Sequence, residues 1–307
     1  MVCVPAVLDI MARQIQKTIK SKGLTVPFAI MQGLSKFLLF FHIDVRRKLF
    51  SSVIKQLGGG LRIIIFGSAP ADPKVIKFFE SIGIDMLQGY GLTETSPIVS
   101  CEVDKRKYRK IGSSGLPLHN IQIDIFEPDE KGVGEILVNG PNVMLGYYEN
   151  EDATKEVLKD GWFHTGDLGY LDKKGHLFIT GRKKDIIVLS NGKNIFPQEI
   201  EDHFNQSEYF TESFVYAEKN KSSETKLCAK FVYDKEQENL KNKTQEEIET
   251  ILENEFQKLN QSLPGYKQIK HVILTTTPLI KTTTRKVKRH EEQAICNKKT
   301  DDQKVLI

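Results

Sequence analysis

Through residues 5–57 apolar positions recur at mixed spacings of three and four, with basic residues between them. That is the period of helices with one buried face. A Gly-Gly-Gly run at 58–60 breaks the pattern. The run RIIIF (62–66) follows, short, continuous and bounded by glycines, as expected of a strand buried on both faces. Asp72-Pro73 then supplies a helix N-cap and a first-turn proline. Val75, Ile76, Phe78 and Phe79 fall on one helical face, Gly83 ends it, and Ile84 to Leu87 reads as the next strand. Strand–loop–helix–strand is the unit of a parallel sheet with covering helices. Ligands bind such sheets beyond the carboxyl ends of the strands.

From about 112 to 180 the rhythm changes. IQIDIF, GEILV and HLFIT are separated by turns such as PDEKG and LDKKG, the signature of an antiparallel β region. From GRKKD onward it changes again. PQEIEDHF reads as a short helix, SFVYAEKN and KLCAKFVYD as a hairpin, and Thr244 with Glu247 as a capping box. Ile248, Ile251, Leu252, Phe256 and Leu259 mark the amphipathic helix behind that cap, and HVIL (271–274) a last strand. Two regions follow: 1–180, with its β-rich part at 112–180, and a small α+β domain at 181–307. The polar stretch after about 291 is expected to be disordered.

With 307 residues, the chain is long enough for about two domains with a core in each. Its 44 basic and 40 acidic residues balance too closely for a nucleic-acid binder, and no basic segment is interleaved with aromatics. The four cysteines are far apart, without a C-x-x-C pair, so a reducing, cytoplasmic setting is the better reading. No basic n-region opens the chain. FLLFFHI (37–43) is too short to span a bilayer, which takes about 20 residues. It reads as a buried helix, with a peripheral membrane contact as the alternative.

Four stretches can carry chemistry. GSAPA (67–71) and QGYGLTE (88–94) both follow buried strands, so their loops should share one sheet edge. There Tyr90 can stack on a base, Thr93 can donate to a phosphate, and Glu94 can hold a hard cation such as Mg²⁺. Against this stands a plain turn with Thr93 as a cap and Glu94 in solvent. In DGWFHTGD (160–167) Asp167 can accept from a ribose diol, or simply close a β-turn. GRKKDIIVLSNGKNIFPQEIE (181–201) puts three cations where two patterns meet, and Arg182 can donate in fork geometry to ribose or phosphate oxygens. TTTRKVKRH (282–290) is either an exposed tail or a loop that inserts one lysine into a dry site.

In this order and spacing the four stretches resemble the adenylate-forming superfamily: acyl-CoA synthetases, firefly luciferase and peptide-synthetase adenylation domains. The wording is nearest to the long-chain fatty acid–CoA ligase branch, over about Val2 to His290. The resemblance implies an α/β fold: an incomplete large domain with a mixed sheet and an antiparallel β subdomain, then a small mobile C-terminal domain. It implies activation of a fatty acid with ATP and Mg²⁺ to acyl-AMP, then transfer to coenzyme A. By the same resemblance Gly67, Ser68 and Ala69 border the adenine. Tyr90 lies along its face beside Gly91, Thr93 contacts the α-phosphate and Glu94 helps hold Mg²⁺. Asp167 and Arg182 bind the ribose, and Lys286 is the adenylating lysine, here preceded by Arg285 where the family usually has Gly. Lys184 is the hinge, and the stretch around Gly192, with Asn191 where many relatives have Gly, meets the pantetheine arm.

Residues 1–87 hold no Gly/Ser/Thr-rich loop ending in Lys, the family's cradle for the β- and γ-phosphates; GGG at 58–60 lacks the hydroxyls and the lysine. The resemblance therefore covers the later part of the large domain and the whole small domain. It implies either a ligase that needs an N-terminal half on another chain, or a non-catalytic AMP or acyl-AMP binder. An adenylation domain serving a carrier protein, whose site would favour an amino acid, fits less well, because the apolar N-terminal segment and the long-chain wording argue otherwise.

Overall fold

The computed structural model describes residues 1–68, 71–104, 106–219, 225–282, 286–297 and 304–306. The chain divides into two compact units, 1–165 with 169–179, and 166–168 with 180–307.

In the first unit, strand β1 (Val2–Cys3) is followed by helices α1 (Pro5–Ser21), α2 (Thr25–Phe40), α3 (Arg46–Leu49) and α4 (Ser51–Gln56). Strand β2 (Ile63–Phe66), helix α5 (Pro73–Ser81) and strand β3 (Asp85–Tyr90) complete the expected strand–helix–strand unit. β1, β2 and β3 pair in parallel, Val2 opposite Ile65 and Phe66 opposite Gln88. Short strands β4 (Ser100–Cys101) and β5 (Leu116–Pro117) extend the sheet antiparallel beyond β3. The α5 start is as read: the Asp72 carboxylate accepts from the Lys74 N–H at 2.7 Å and Pro73 opens the helix. Leu8, Phe50, Ile54, Ile64, Phe66 and Phe79 form the core between helices and sheet.

The expected antiparallel region contains β6 (Gln122–Phe126), β7 (Gly134–Asn139), helix α6 (Glu151–Val157), β8 (Leu158–Lys159), β9 (Trp162–Leu171) and β10 (Leu177–Arg182). The sheet order is β10-β9-β7-β6, with β8 on β9. Helix α6 is the element the sequence reading lacked; its N-cap is Asn150, which accepts from the Ala153 N–H at 3.1 Å.

The second unit holds a small hairpin, β11 (Ile187–Val188) with β12 (Asn194–Ile195), then helix α7 (Pro197–Phe204). Hairpin β13 (Glu212–Lys219) and β14 (Thr225–Val232) pairs in full register. Helix α8 (Gln245–Gln261) carries the capping box as read: Glu247 N–H donates to the Thr244 hydroxyl at 3.2 Å and Thr244 N–H to the Glu247 carboxylate at 2.7 Å. Strand β15 (His271–Thr275) pairs in parallel with β14.

Two expectations need correction. HVIL is not the last element, and the chain after 291 is not simply a polar tail. Helix α9 (Arg289–Cys296) follows, and strand β16 (Lys304–Leu306) pairs antiparallel with β15. The polar letters misled because Glu292 is buried as an ion: its side chain is 1% exposed and meets Lys230, 4% exposed, at 3.0 Å. A paired charge can be buried where a lone one cannot. The second correction is FLLFFHI. Leu38 and Leu39 are half-buried, but Phe37, Phe40, Phe41 and Ile43 are exposed. Helix α2 is apolar on more of its circumference than its neighbours in the unit cover.

Candidate functional site

In the first unit the parallel pairing of β2 with β3 puts GSAPA and QGYGLTE at neighbouring strand ends, as expected. Gly67 is there for proximity: a Cβ on it would lie 2.8 Å from the Gly89 carbonyl oxygen. Ser68 takes φ +72°, a left-handed turn residue. Ala69 lies outside the described residues.

Strand β3 runs on to Tyr90, so the tyrosine is not in a loop. Its ring packs with Val99, Ile136, Val138 and Phe163 in the core, and 8% of the residue is exposed. Tyr90 is thus a strand residue at the core's edge and not part of a free loop. Gly91 is also there for space: a Cβ would sit 2.0 Å from the Pro97 carbonyl oxygen. The cap expected of Thr93 is made by Thr95, fully buried, whose hydroxyl accepts from Leu92 N–H at 2.9 Å. Thr93 is left exposed, its hydroxyl without a hydrogen bond among the described residues.

Glu94 is not simply solvated. The Tyr147 hydroxyl donates to its Oε1 at 3.0 Å, and its carbonyl accepts from Met144 N–H at 2.8 Å. Burial, and then the Glu94 carboxylate, push the Tyr147 phenol above its usual range. Asn142 donates to the Thr95 and Ile98 carbonyls at 2.9 and 3.0 Å. The segment NVMLGY (142–147) thus fixes the Thr93–Glu94 turn. Sequence reading passed over it, although its Asn and Tyr stand in an otherwise apolar run. Among the described residues no group of three or more His, Cys, Asp or Glu could hold a metal ion. A magnesium ion needs only one or two carboxylates when phosphate oxygens and water supply the rest. Glu94, oriented by Tyr147, fits that role.

In the second unit Asp167 is in strand β9, not in a β-turn. It pairs with Arg182 on β10, Nε to Oδ1 2.8 Å, with the carboxylate side chain 7% and the guanidinium 42% exposed. The two residues read as ribose ligands are therefore one unit: the arginine orients a buried carboxylate and keeps donors towards solvent. A cavity of about 320 Å³ lies beside them, lined by Gly166, Arg182, Lys183 and Lys184. Gly166 has φ +67° and nothing within 4 Å of a Cβ. Lys184, the expected hinge, is exposed in a 3-10 turn (Lys183–Asp185). Gly192 is at the tip of the β11–β12 hairpin with φ +77°, and its N–H donates to the Leu189 carbonyl at 2.9 Å. Its conformational need is thus local.

Lys286 closes a loop held at both ends. Thr282 N–H donates to the Lys286 carbonyl at 2.8 Å, and Lys286 N–H to the Thr282 hydroxyl at 3.1 Å. Arg285 lies outside the described residues. Of its charged neighbours, Lys281 pairs with Glu212 at 2.8 Å, Lys288 with Glu291 at 2.9 Å and Arg289 with Glu201 at 2.9 Å. Lys286 is exposed and has no carboxylate partner among the described residues.

The chain matches known proteins at both ends. A family model for AMP-binding enzymes matches residues 1–148, and one for the AMP-binding enzyme C-terminal domain matches 184–302. A 2-succinylbenzoate–CoA ligase of Bacillus mycoides (strain KBAB4) is 36% identical over 200 residues, 62% of this chain and 38% of the relative. That of Bacillus cytotoxicus is 37% identical over 198 residues, 61% and 37% of the two chains. The O-succinylbenzoate coenzyme A synthetase of Bacillus subtilis in complex with AMP superposes with TM-score 0.64 at 26% identity, over 84% of this chain and 50% of that one. The same enzyme with ATP and magnesium ion gives 0.62 and 27%, over 80% and 50%. The chain spans half or less of the length of these relatives. On the two family matches and this fold, the chain belongs to the AMP-binding, adenylate-forming enzyme superfamily.

Proposed function

We propose that this chain serves the AMP-forming activation of a carboxylic acid and its transfer to coenzyme A. The carboxylate oxygen attacks the α-phosphorus of ATP, the bond to the β-phosphate breaks, and pyrophosphate leaves. The thiol sulfur of coenzyme A, losing its proton, then attacks the acyl carbon, and AMP leaves. Carboxylate and α-phosphate are both anionic, so the first step depends on positioning and concentrated positive charge. The observation that carries this reading is the exposed, uncompensated Lys286 on an anchored loop, in a stretch whose other described lysines and arginine are paired. Asp167, held by Arg182, would take the ribose hydroxyls, and Thr93 the α-phosphate. Glu94 would hold Mg²⁺, which supplies charge compensation for the phosphates. Gly67, Ser68 and Tyr90 would border the adenine, and the Gly192 turn would meet the pantetheine arm of coenzyme A.

The acid itself separates two readings. The relatives' names support 2-succinylbenzoate; the long-chain fatty acid reading rests on the wording of the motifs and gains nothing from those names. Fatty-acid- or 2-succinylbenzoate-dependent ATP–pyrophosphate exchange, measured side by side after complementation with an N-terminal half, decides between them. Exchange should disappear in Lys286→Ala; exchange unchanged in that variant contradicts the role given to Lys286. A non-catalytic AMP or acyl-AMP binder is the alternative. It expects AMP binding with no exchange on either acid.

A further inference from the structure

We propose that helix α2 and its surroundings form a docking surface for an anionic phospholipid membrane. Val26, Ile30, Leu34, Phe37, Phe40 and Phe41 are all exposed, Phe37 at 61% and Phe40 at 80%. Their spacing of three and four residues puts them on one face of the helix. Phe41 stands edge-on to both Phe37 and Phe40, with centroids 5.2 and 5.3 Å away. A contiguous apolar face of this size on a folded unit marks an interaction surface.

Charge identifies the partner. Residues 10–57 contain nine Lys or Arg and a single acid, Asp44, although the whole chain is nearly balanced at +4. Asp44 is itself neutralised by Arg46 at 2.6 Å. Lys17 and Lys22 on α1 and its end, Lys36 on α2 and Lys48 on α3 are exposed. Lys36 flanks the apolar stripe directly by helical angle. An apolar helix face with basic flanks fits the boundary between acyl chains and anionic headgroups. No single helix among the described residues is long and apolar enough to cross a membrane. α1 from Val7 and α2 reach that length and apolarity only as a pair, bent by 119° at the break between them, so the proposed posture is a helix lying in the interface plane.

The test is flotation of the full chain with vesicles of phosphatidylcholine, alone or mixed with phosphatidylserine. The chain should bind the mixed vesicles and bind the pure phosphatidylcholine vesicles far more weakly. High salt should weaken binding. The double variant Phe37→Ser/Phe40→Ser should reduce partitioning at least about tenfold, because two exposed aromatic side chains no longer enter the lipid. Lys17→Glu/Lys36→Glu should cost about tenfold or more, at about 1 kcal/mol for each cation near the surface. Unchanged far-UV circular dichroism in both variants shows that the fold is kept. Absence of binding to the mixed vesicles overturns the proposal, as does equal binding to both compositions. Self-association of the parent chain that the Phe variant abolishes, without lipid binding, assigns the face to a second copy and also overturns it.

Discussion

Replacing Lys230 by Met leaves Glu292 as a buried carboxylate with no cation. The native pair lies at 3.0 Å, with side chains 4% and 1% exposed. Glu292 also accepts the Ile280 N–H at 2.5 Å, and Ile280 in turn accepts the Lys288 N–H at 2.9 Å. The pair therefore ties α9 to the base of the loop that carries Lys286. Removing one member of a buried ion pair costs about 3–5 kcal/mol, chiefly the desolvation of the partner left behind. In a unit of this size about 1 kcal/mol moves the melting temperature by roughly 4 °C, so Lys230→Met should lower that unit's transition by at least about 10 °C. Glu292→Gln should cost a similar amount by stranding the ammonium, although the amide oxygen can still accept from Ile280. The double variant Lys230→Met/Glu292→Gln removes both charges and keeps that acceptor, so it should return to within about 1 kcal/mol of the parent. Differential scanning calorimetry of the three variants measures the cycle. A double variant as unstable as either single one, or single variants within about 2 °C of the parent, would refute the buried-pair reasoning.

Other consequences follow from the same geometry. Gly91→Ala drives a Cβ to 2.0 Å from the Pro97 carbonyl oxygen, whereas Gly192→Ala meets nothing within 4 Å and bears only the strain of φ +77°. Denaturant melts should therefore show a loss of several kcal/mol for the first, and of about 1 kcal/mol for the second. The Arg46 guanidinium, by direct hydrogen bonding, holds the Asp44 carboxyl below its usual range. A depressed folded-state value stabilises the fold above the ordinary carboxylate range, and that contribution is lost as pH falls towards the folded value. Asp44→Asn should cost under about 1 kcal/mol at neutral pH, given the exposure of Asp44, and the gap should close on acidification in melts from pH 7 to 3. Burial pushes the thiols of Cys228 to about 12 and Cys296 to about 11. A thiol reagent at pH 8 should therefore modify Cys3 and Cys101 first and reach the other two only after unfolding, as mass spectrometry of the labelled peptides would show.

Where sequence reading succeeded, the signal was local. Asp72-Pro73, the Thr244–Glu247 box and the alternating strands of 112–180 state their structure within a few residues, because caps and periodicities are short-range. The candidate site residues stood out as motifs, but not the reasons for their placement. Gly67 and Gly91 avoid backbone atoms brought close by the fold, and Asp167 meets its arginine across a sheet; neither fact has a local signature. Tyr90 appeared free because the strand was ended at Leu87, and Tyr147 was missed because its partner Glu94 is 53 residues away. Polar α9 and greasy α2 failed in opposite directions. A buried charge pair hides in a polar string, and an apolar string does not say whether its face is covered.

Asp167 and Arg182 are proposed to hold the ribose of an adenylate, and calorimetric titration of the full chain with AMP tests this most directly. AMP should give saturable heat, with binding weakened about tenfold or more in Arg182→Ala, whose guanidinium is 42% exposed and can be lost without opening the core. No heat and no thermal shift with AMP, or binding unchanged in Arg182→Ala, would contradict it.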